Sequence, residues 1–274
     1  MSRQSSLRQR SQTYGSGAAC GGCLAQLKGS IRKTMLGRKV FSVFAALLLA
    51  CAVSVSALAT GTAPDKNKSA AAVRVEAPLN LAILVQDDLV SRVGSELGVT
   101  RDFIRQLPAG SRVMVAYVRA GSLQVRQAFT DDLEQAAKSL RSPIGSESAA
   151  PYNPYVEVIE ALRKFEEGGQ NRNALLLISD GLDTSRGFDV DSAGNTVDLM
   201  RAIKEARKRN VAVYSFYAPT VGLTSWNRRA VSYGQSSLNR LSDETGGRAF
   251  FQGTTFVTFD SYFERLRKSL NEAY

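Results

Sequence analysis

The stretch Ala174-Leu175-Leu176-Leu177-Ile178-Ser179-Asp180-Gly181 decides how this chain folds. Its apolar run has no alternation, as in a strand covered on both faces, and it stops on a polar Ser-Asp-Gly turn. Two other stretches repeat the design. "LNLAILVQ" (79–86) runs into Asp87-Asp88, and "VAVYSFYA" (211–218) runs into Pro219. Helical patterns of apolar residues fall between and after them, at about 92–107, 130–140, 155–167, 195–209, 235–244 and 261–273. In the segment 155–167 the spacing puts Val156, Ile159, Leu162 and Phe165, or positions next to them, on one helical face. "RVMVAYVR" (112–119) and "LQVRQAF" (123–129) are separated only by Ala120-Gly121-Ser122, which predicts an antiparallel hairpin. "RAFFQ" (248–252) supplies a last strand. The predicted fold class is α/β, Rossmann-like and doubly wound. Its mostly parallel sheet has one antiparallel edge strand and helices on both faces. Ligands of such sheets sit at the carboxyl ends of the strands, where Gln86-Asp87-Asp88, Asp180-Gly181 and Ala218-Pro219 are expected.

The formal charge of +10 does not belong to this domain. Residues 1–59 hold eight Lys or Arg and no acid, whereas the rest of the chain holds 27 basic and 25 acidic residues. No nucleic-acid partner is expected of so balanced a surface. Histidine is absent throughout, which removes His-based triads and His-ligated zinc. The cysteines, Cys20, Cys23 and Cys51, all lie upstream, and no P-loop, GxGxxG or GxSxG stretch is present. The sequence therefore offers no catalytic constellation.

Four segments are expected: a basic tail (1–39), an apolar export segment (40–59), a linker (60–77) and the α/β domain (78–274). Val40–Leu58 has no charge, follows Arg38-Lys39, and is followed by the small residues of Ala57-Leu58-Ala59. It reads as a signal peptide or as a membrane anchor with the N-terminus in the cytoplasm. A start at Met35 would give a compact signal peptide. Either reading exports the domain to the periplasm or outside, or leaves it anchored at the inner membrane through 40–58.

The motifs "LLLISDGLDT" (175–184), "VAVYSFYA" (211–218) and "LSDETGGRAFF" (241–251) stand in the order and spacing of a known domain. Over residues 79–273 the chain resembles the von Willebrand factor A (vWA) domain, in the variant common in bacterial exported proteins. The resemblance implies a vWA-like sandwich that binds proteins or other ligands through a divalent cation, often magnesium. It implies Asp180 as the metal-site acid after the central strand and places Asn153 where the family has a threonine. The family's leading Asp-x-Ser-x-Ser run falls on Gln86, Asp88 and Val90 in one register, and on Asp87, Leu89 and Ser91 in the other. Neither register keeps the full motif, so magnesium or another divalent cation is expected to bind weakly or not at all.

The candidate metal positions are thus Asp180, Asp88, Asp87, Asn153 and Ser91, degenerate at Gln86. Hard cations prefer such oxygen donors. Asp183, Asp189 and Asp191 lie in an acidic loop that lacks the terminal Glu of a calcium loop. Trp226, Tyr233 and Arg228 are candidate partner-binding residues, because aromatics beside arginine are enriched at interaction hot spots. Three readings of function stay open. The first is an exported or anchored non-enzymatic module that binds a protein or envelope component. The others are a metal-dependent hydrolase or phosphatase using the Asp cluster, and a structural domain with a dead site.

Overall fold

A computed structural model describes residues 73–167, 171–188, 196–251 and 258–272. The basic tail, the export segment and most of the linker lie outside the described residues, as do Asp189 and Asp191. Six strands form one sheet in the order β3-β2-β1-β4-β5-β6. The strands are β1 (Leu79–Gln86), β2 (Arg112–Arg119), β3 (Ser122–Thr130), β4 (Arg172–Ser179), β5 (Val211–Tyr217) and β6 (Ala249–Phe250). All neighbours are parallel except β2 and β3, which make the antiparallel hairpin at the edge. The pairing of β3 shifts register twice, and its residues are largely half-buried or exposed.

Period-two alternation sends successive β1 residues to opposite layers. Leu81, Ile83 and Val85 join a core with α1 (Arg92–Arg105), α2 (Leu133–Ser139) and α6 (Phe259–Glu272). Ala82 and Leu84 join a second core with α3 (Pro154–Leu162), α4 (Val197–Lys208) and α5 (Arg228–Asp243). A strand flanked by both layers has no solvent face, so all eight residues of β1 are buried. The α/β sandwich with helices on both faces is therefore the architecture its apolar runs predict.

Two local expectations change. Val156 is exposed, and α3 instead turns Tyr155, Val158, Ala161 and Leu162 inward. The 100° advance per residue allows either neighbouring stripe, and the larger Tyr155 side chain takes the buried one. Helix α5 begins seven residues before the expected start. Asn227 caps it, its side-chain oxygen accepting from the Arg229 and Ala230 backbone N–H groups at 3.0 and 3.3 Å.

The chain passes from β1 to β2 on one side and returns to β4 on the other. The carboxyl ends of β1 and β4 thus meet at the reversal of strand order, where a crevice opens. Helix α5 closes on this point because Gly234 has no side chain. A Cβ there would lie 1.9 Å from the Asp180 carbonyl oxygen. Gly181, at φ +70°, completes the same approach. We expect Gly234→Ala to cost stability at the upper end of the about 1–3 kcal/mol typical of overpacking. Chemical denaturation would measure it, and a variant as stable as the parent would refute the close approach.

Candidate functional site

Gln86 is the last residue of β1 and faces Ser179 at the end of β4. Ser179 Oγ donates to Gln86 Oε1 at 2.5 Å and accepts the Gly181 N–H at 2.9 Å. That pair fixes the amide so that its nitrogen points outward. Nε2 then donates to Asp88 Oδ1 at 2.9 Å and to Asp180 Oδ1 at 3.2 Å. One neutral amide therefore bridges two carboxylates, with one N–H available for each.

Asp180 is buried and fully engaged. Oδ1 also accepts the Leu182 N–H at 3.1 Å, while Oδ2 accepts the hydroxyls of Thr220 and Thr224 at 3.2 and 3.0 Å. Both threonines come from the loop after β5. The backbone stitches that loop to the one after β1. Val90 N–H donates to Pro219 O and Val221 N–H to Asp88 O, at 3.1 and 3.0 Å. Burial raises the Asp180 carboxyl above its ordinary value. Burial, and then the charge of Asp180, push Asp88 up to about 7.

Asp87 points elsewhere. Its carboxylate pairs in a fork with the Arg141 guanidinium at 2.6 and 2.8 Å and accepts the Ile144 N–H at 3.1 Å. The guanidinium lies 3.9 Å from the centre of the Tyr117 ring, and the Tyr117 hydroxyl accepts the Arg141 N–H at 2.7 Å. Asp87 is fully buried, so this pair anchors the loop after α2 to the end of β1.

The structure divides the other candidates. Asn153 caps α3 through its side-chain oxygen, at 3.1 Å from the Tyr155 N–H, and donates to Asp198 at 2.8 Å. Ser91 is exposed ahead of α1 and makes no capping bond. Neither meets Asp88 or Asp180. Asp183 accepts from Ser185 in its own turn. Thr220 and Thr224, which do reach Asp180, were not anticipated from sequence. The only hint was their position just beyond an apolar strand. Among the described residues, no group of three or more His, Cys, Asp or Glu converges on a metal position.

Asp88 and Asp180 line a cleft of about 320 Å³, together with Gln86, Pro151, Leu223 and Trp226 among others. No Lys or Arg is in its lining. Trp226 is 71% exposed on the rim. Tyr233 packs on Phe188 instead, with ring centres 5.8 Å apart, and Arg228 is exposed at the start of α5.

These elements and their order are those expected of the resemblance. The fold is vWA-like. Two solved structures share it, each at a TM-score of 0.50. One is an aerotolerance-related membrane protein from Bacteroides fragilis, crystallised with multiple mutations to serine; it is 13% identical, over 71% of this chain and 99% of its own. The other is the conserved hypothetical protein BatB from Bacteroides thetaiotaomicron, 15% identical over 71% and 98%. No family model and no curated protein sequence matches the chain.

Two predictions follow the two acids of the first loop. Arg141→Met leaves Asp87 buried without its cation and should destabilise by about 3 kcal/mol, the lower end for a broken buried pair because Arg141 is partly exposed. In a denaturation series, the double variant with Asp87→Asn should recover part of that loss. For Asp88, the folded state holds its proton up to about 7, while an ordinary carboxyl releases it near 3.8. The contribution of Asp88 to stability is therefore greatest below 3.8 and falls as pH rises to 7. Asp88→Asn should raise Tm at about pH 8, by about 2–4 °C per kcal/mol recovered, and change it little at about pH 4. An equal effect at both pH values would refute this.

Proposed function

We propose that this chain is a non-enzymatic binding module of the cell envelope, and that it recognises a protein or envelope component through the cleft at the carboxyl ends of its strands. The carrying observation is the exposed Trp226 on the rim of a preformed, partly polar cleft. Isolated exposed aromatics at such a place are suited to anchoring a partner. The cleft lining has acids and hydroxyls but no lysine, arginine, serine, cysteine or histidine to activate a substrate. The uncharged run at 40–58 supports export or membrane attachment of the chain. One structural neighbour is itself described as a membrane protein, which agrees with an envelope setting. Among the described residues, no helix is long and apolar enough to cross a membrane, and 40–58 lies outside them.

The cation site of the resembled family is weakened in this reading. Gln86 turns hydrogens, not a lone pair, toward the carboxylates. Magnesium requires near-octahedral oxygen ligation, which an intervening amide NH₂ obstructs. Thermal shift and calorimetry on the full-length chain with Mg²⁺, Mn²⁺ and Ca²⁺ test this. At about 1 mM cation the expected gain is below about 0.4 kcal/mol, as for a ligand below its Kd. Gln86→Asp should be less stable than the parent without cation and regain stability when Mg²⁺ is added. Strong binding by the parent chain would overturn the weakened site. Turnover of phosphoesters, lost in Asp180→Asn, would overturn the non-enzymatic reading.

A further inference from the structure

Helix α4 buries one face and exposes a stripe of mixed character. Leu199, Ala202, Ile203 and Ala206 enter the core. Val197, Met200, Arg201, Lys204, Arg207 and Lys208 are exposed. Their spacing, i, i+3, i+4, i+7, i+10 and i+11, puts them on one side of the helix. The stripe begins apolar and continues basic. Val197 and Met200 are 46% and 42% exposed, and both line a groove that runs along the helix beside Arg201, Lys204 and Arg207. None of these residues lines the cleft beneath Trp226, so the two surfaces are separate.

The charges on the stripe are only loosely held. Arg201 pairs with Asp198 and Arg207 with Glu244, at 3.1 and 3.0 Å, on solvent-exposed arginines. Surface pairs of this kind are weak and exchange readily for an outside anion. Lys204 pairs with no acid among the described residues, and Lys208 adds a fourth cation. The helix macrodipole accounts for basic residues in the last turn, Arg207 and Lys208. It accounts neither for Lys204 nor for two bare apolar side chains at the other end. A purely solvated face has no use for Val197 and Met200, and a neutral apolar partner has none for four cations. An anionic surface with an apolar interior uses both.

The sequence brings such a surface within reach. The uncharged run at 40–58 supports attachment of the chain to a bilayer, and 14 residues, 59–72, separate it from the first described residue, Val73. Fully extended, that connection spans at most about 50 Å. A tether so short keeps the domain at high effective concentration beside the bilayer, where a weak contact suffices.

We infer that the exposed stripe of α4 docks the domain on an anionic lipid surface. Val197 and Met200 enter the boundary between headgroups and acyl chains, and Arg201, Lys204, Arg207 and Lys208 meet the lipid phosphates. This shares only the envelope setting with the function proposed above and leaves the cleft open to its own partner.

A tryptophan placed in the stripe tests the contact. In the full-length chain, Trp226→Phe removes the sole native indole and Met200→Trp introduces one in α4, with the fold verified by a thermal melt. Vesicles of phosphatidylcholine, or of an equal mixture with phosphatidylglycerol, carry bromine on their acyl chains, which quenches an indole that reaches the bilayer. Strong quenching is expected on the mixed vesicles, little on the neutral ones, and less at high salt. Each cation near such a surface contributes about fivefold to binding, so Lys204→Gln with Lys208→Gln should lower the docked-to-free ratio about 25-fold. Both positions are exposed, so the melt should not change. Quenching that ignores phosphatidylglycerol, or that survives the two lysine substitutions, would overturn the inference. Equal quenching of the native Trp226 in the parent chain would also overturn it, by placing the contact on the cleft rim. An emission change with soluble oligoglutamate, without quenching on vesicles, would overturn the lipid surface and mark a site for an acidic protein. None of these outcomes bears on the cation and phosphoester tests of the cleft.

Discussion

Everything at the carboxyl edge of this sheet depends on one amide placed between two buried carboxylates. Two acids this close repel each other, and burial raises the cost of ionising either. Gln86 meets the problem with hydrogen atoms rather than with charge. Its NH₂ group touches Asp88 and Asp180, and its oxygen is tied to Ser179. The ends of β1 and β4 are fastened together by this side chain, and the threonines after β5 fasten a third segment to the same Asp180. An amide satisfies hydrogen-bond valence without neutralising the site. The two carboxyls therefore keep the raised proton affinities that a bridging cation would lower.

The supports around this amide are rigid. The fork between Asp87 and Arg141, stacked on Tyr117, holds the loop after α2. The Tyr155 hydroxyl donates to Gly181 O at 2.7 Å, tying α3 to the turn beyond β4. Helix α5 presses on that turn through Gly234. Loops held in this way have little freedom left to lose, so a ligand that met them would spend little contact energy on ordering them.

The sequence made the frame legible because strands buried on two faces carry continuous apolar runs, and β1, β4 and β5 are such strands. The start of α5 was hidden by Arg228, Arg229 and a small-residue segment, whose weak apolar pattern only the Asn227 cap and tertiary packing resolve. At the site, Gln86 was legible as an anomaly but its function as a donor was not, since that depends on Ser179 orienting the amide. Adjacent Asp87 and Asp88 look equivalent in a linear reading. In the fold one goes to Arg141 and the other to the cleft, a divergence decided by distant groups. Thr220 and Thr224 stand 40 and 44 residues from Asp180, a separation at which local patterns carry no information. Asn153 shows the converse. A residue in about the right place was claimed by the nearest helix end.

The edge strand β3 carries a consequence for assembly. An outer strand with free backbone donors and acceptors is a template on which another chain can add a strand. Here Gln124, Arg126 and Gln127 put polar groups along that strand, and the two register shifts against β2 break its regularity. A bent, polar edge is a poor match for a straight incoming strand. Growth of the sheet from chain to chain is thereby discouraged on the β3 side, so even at high local concentration the domain resists polymerising along that edge.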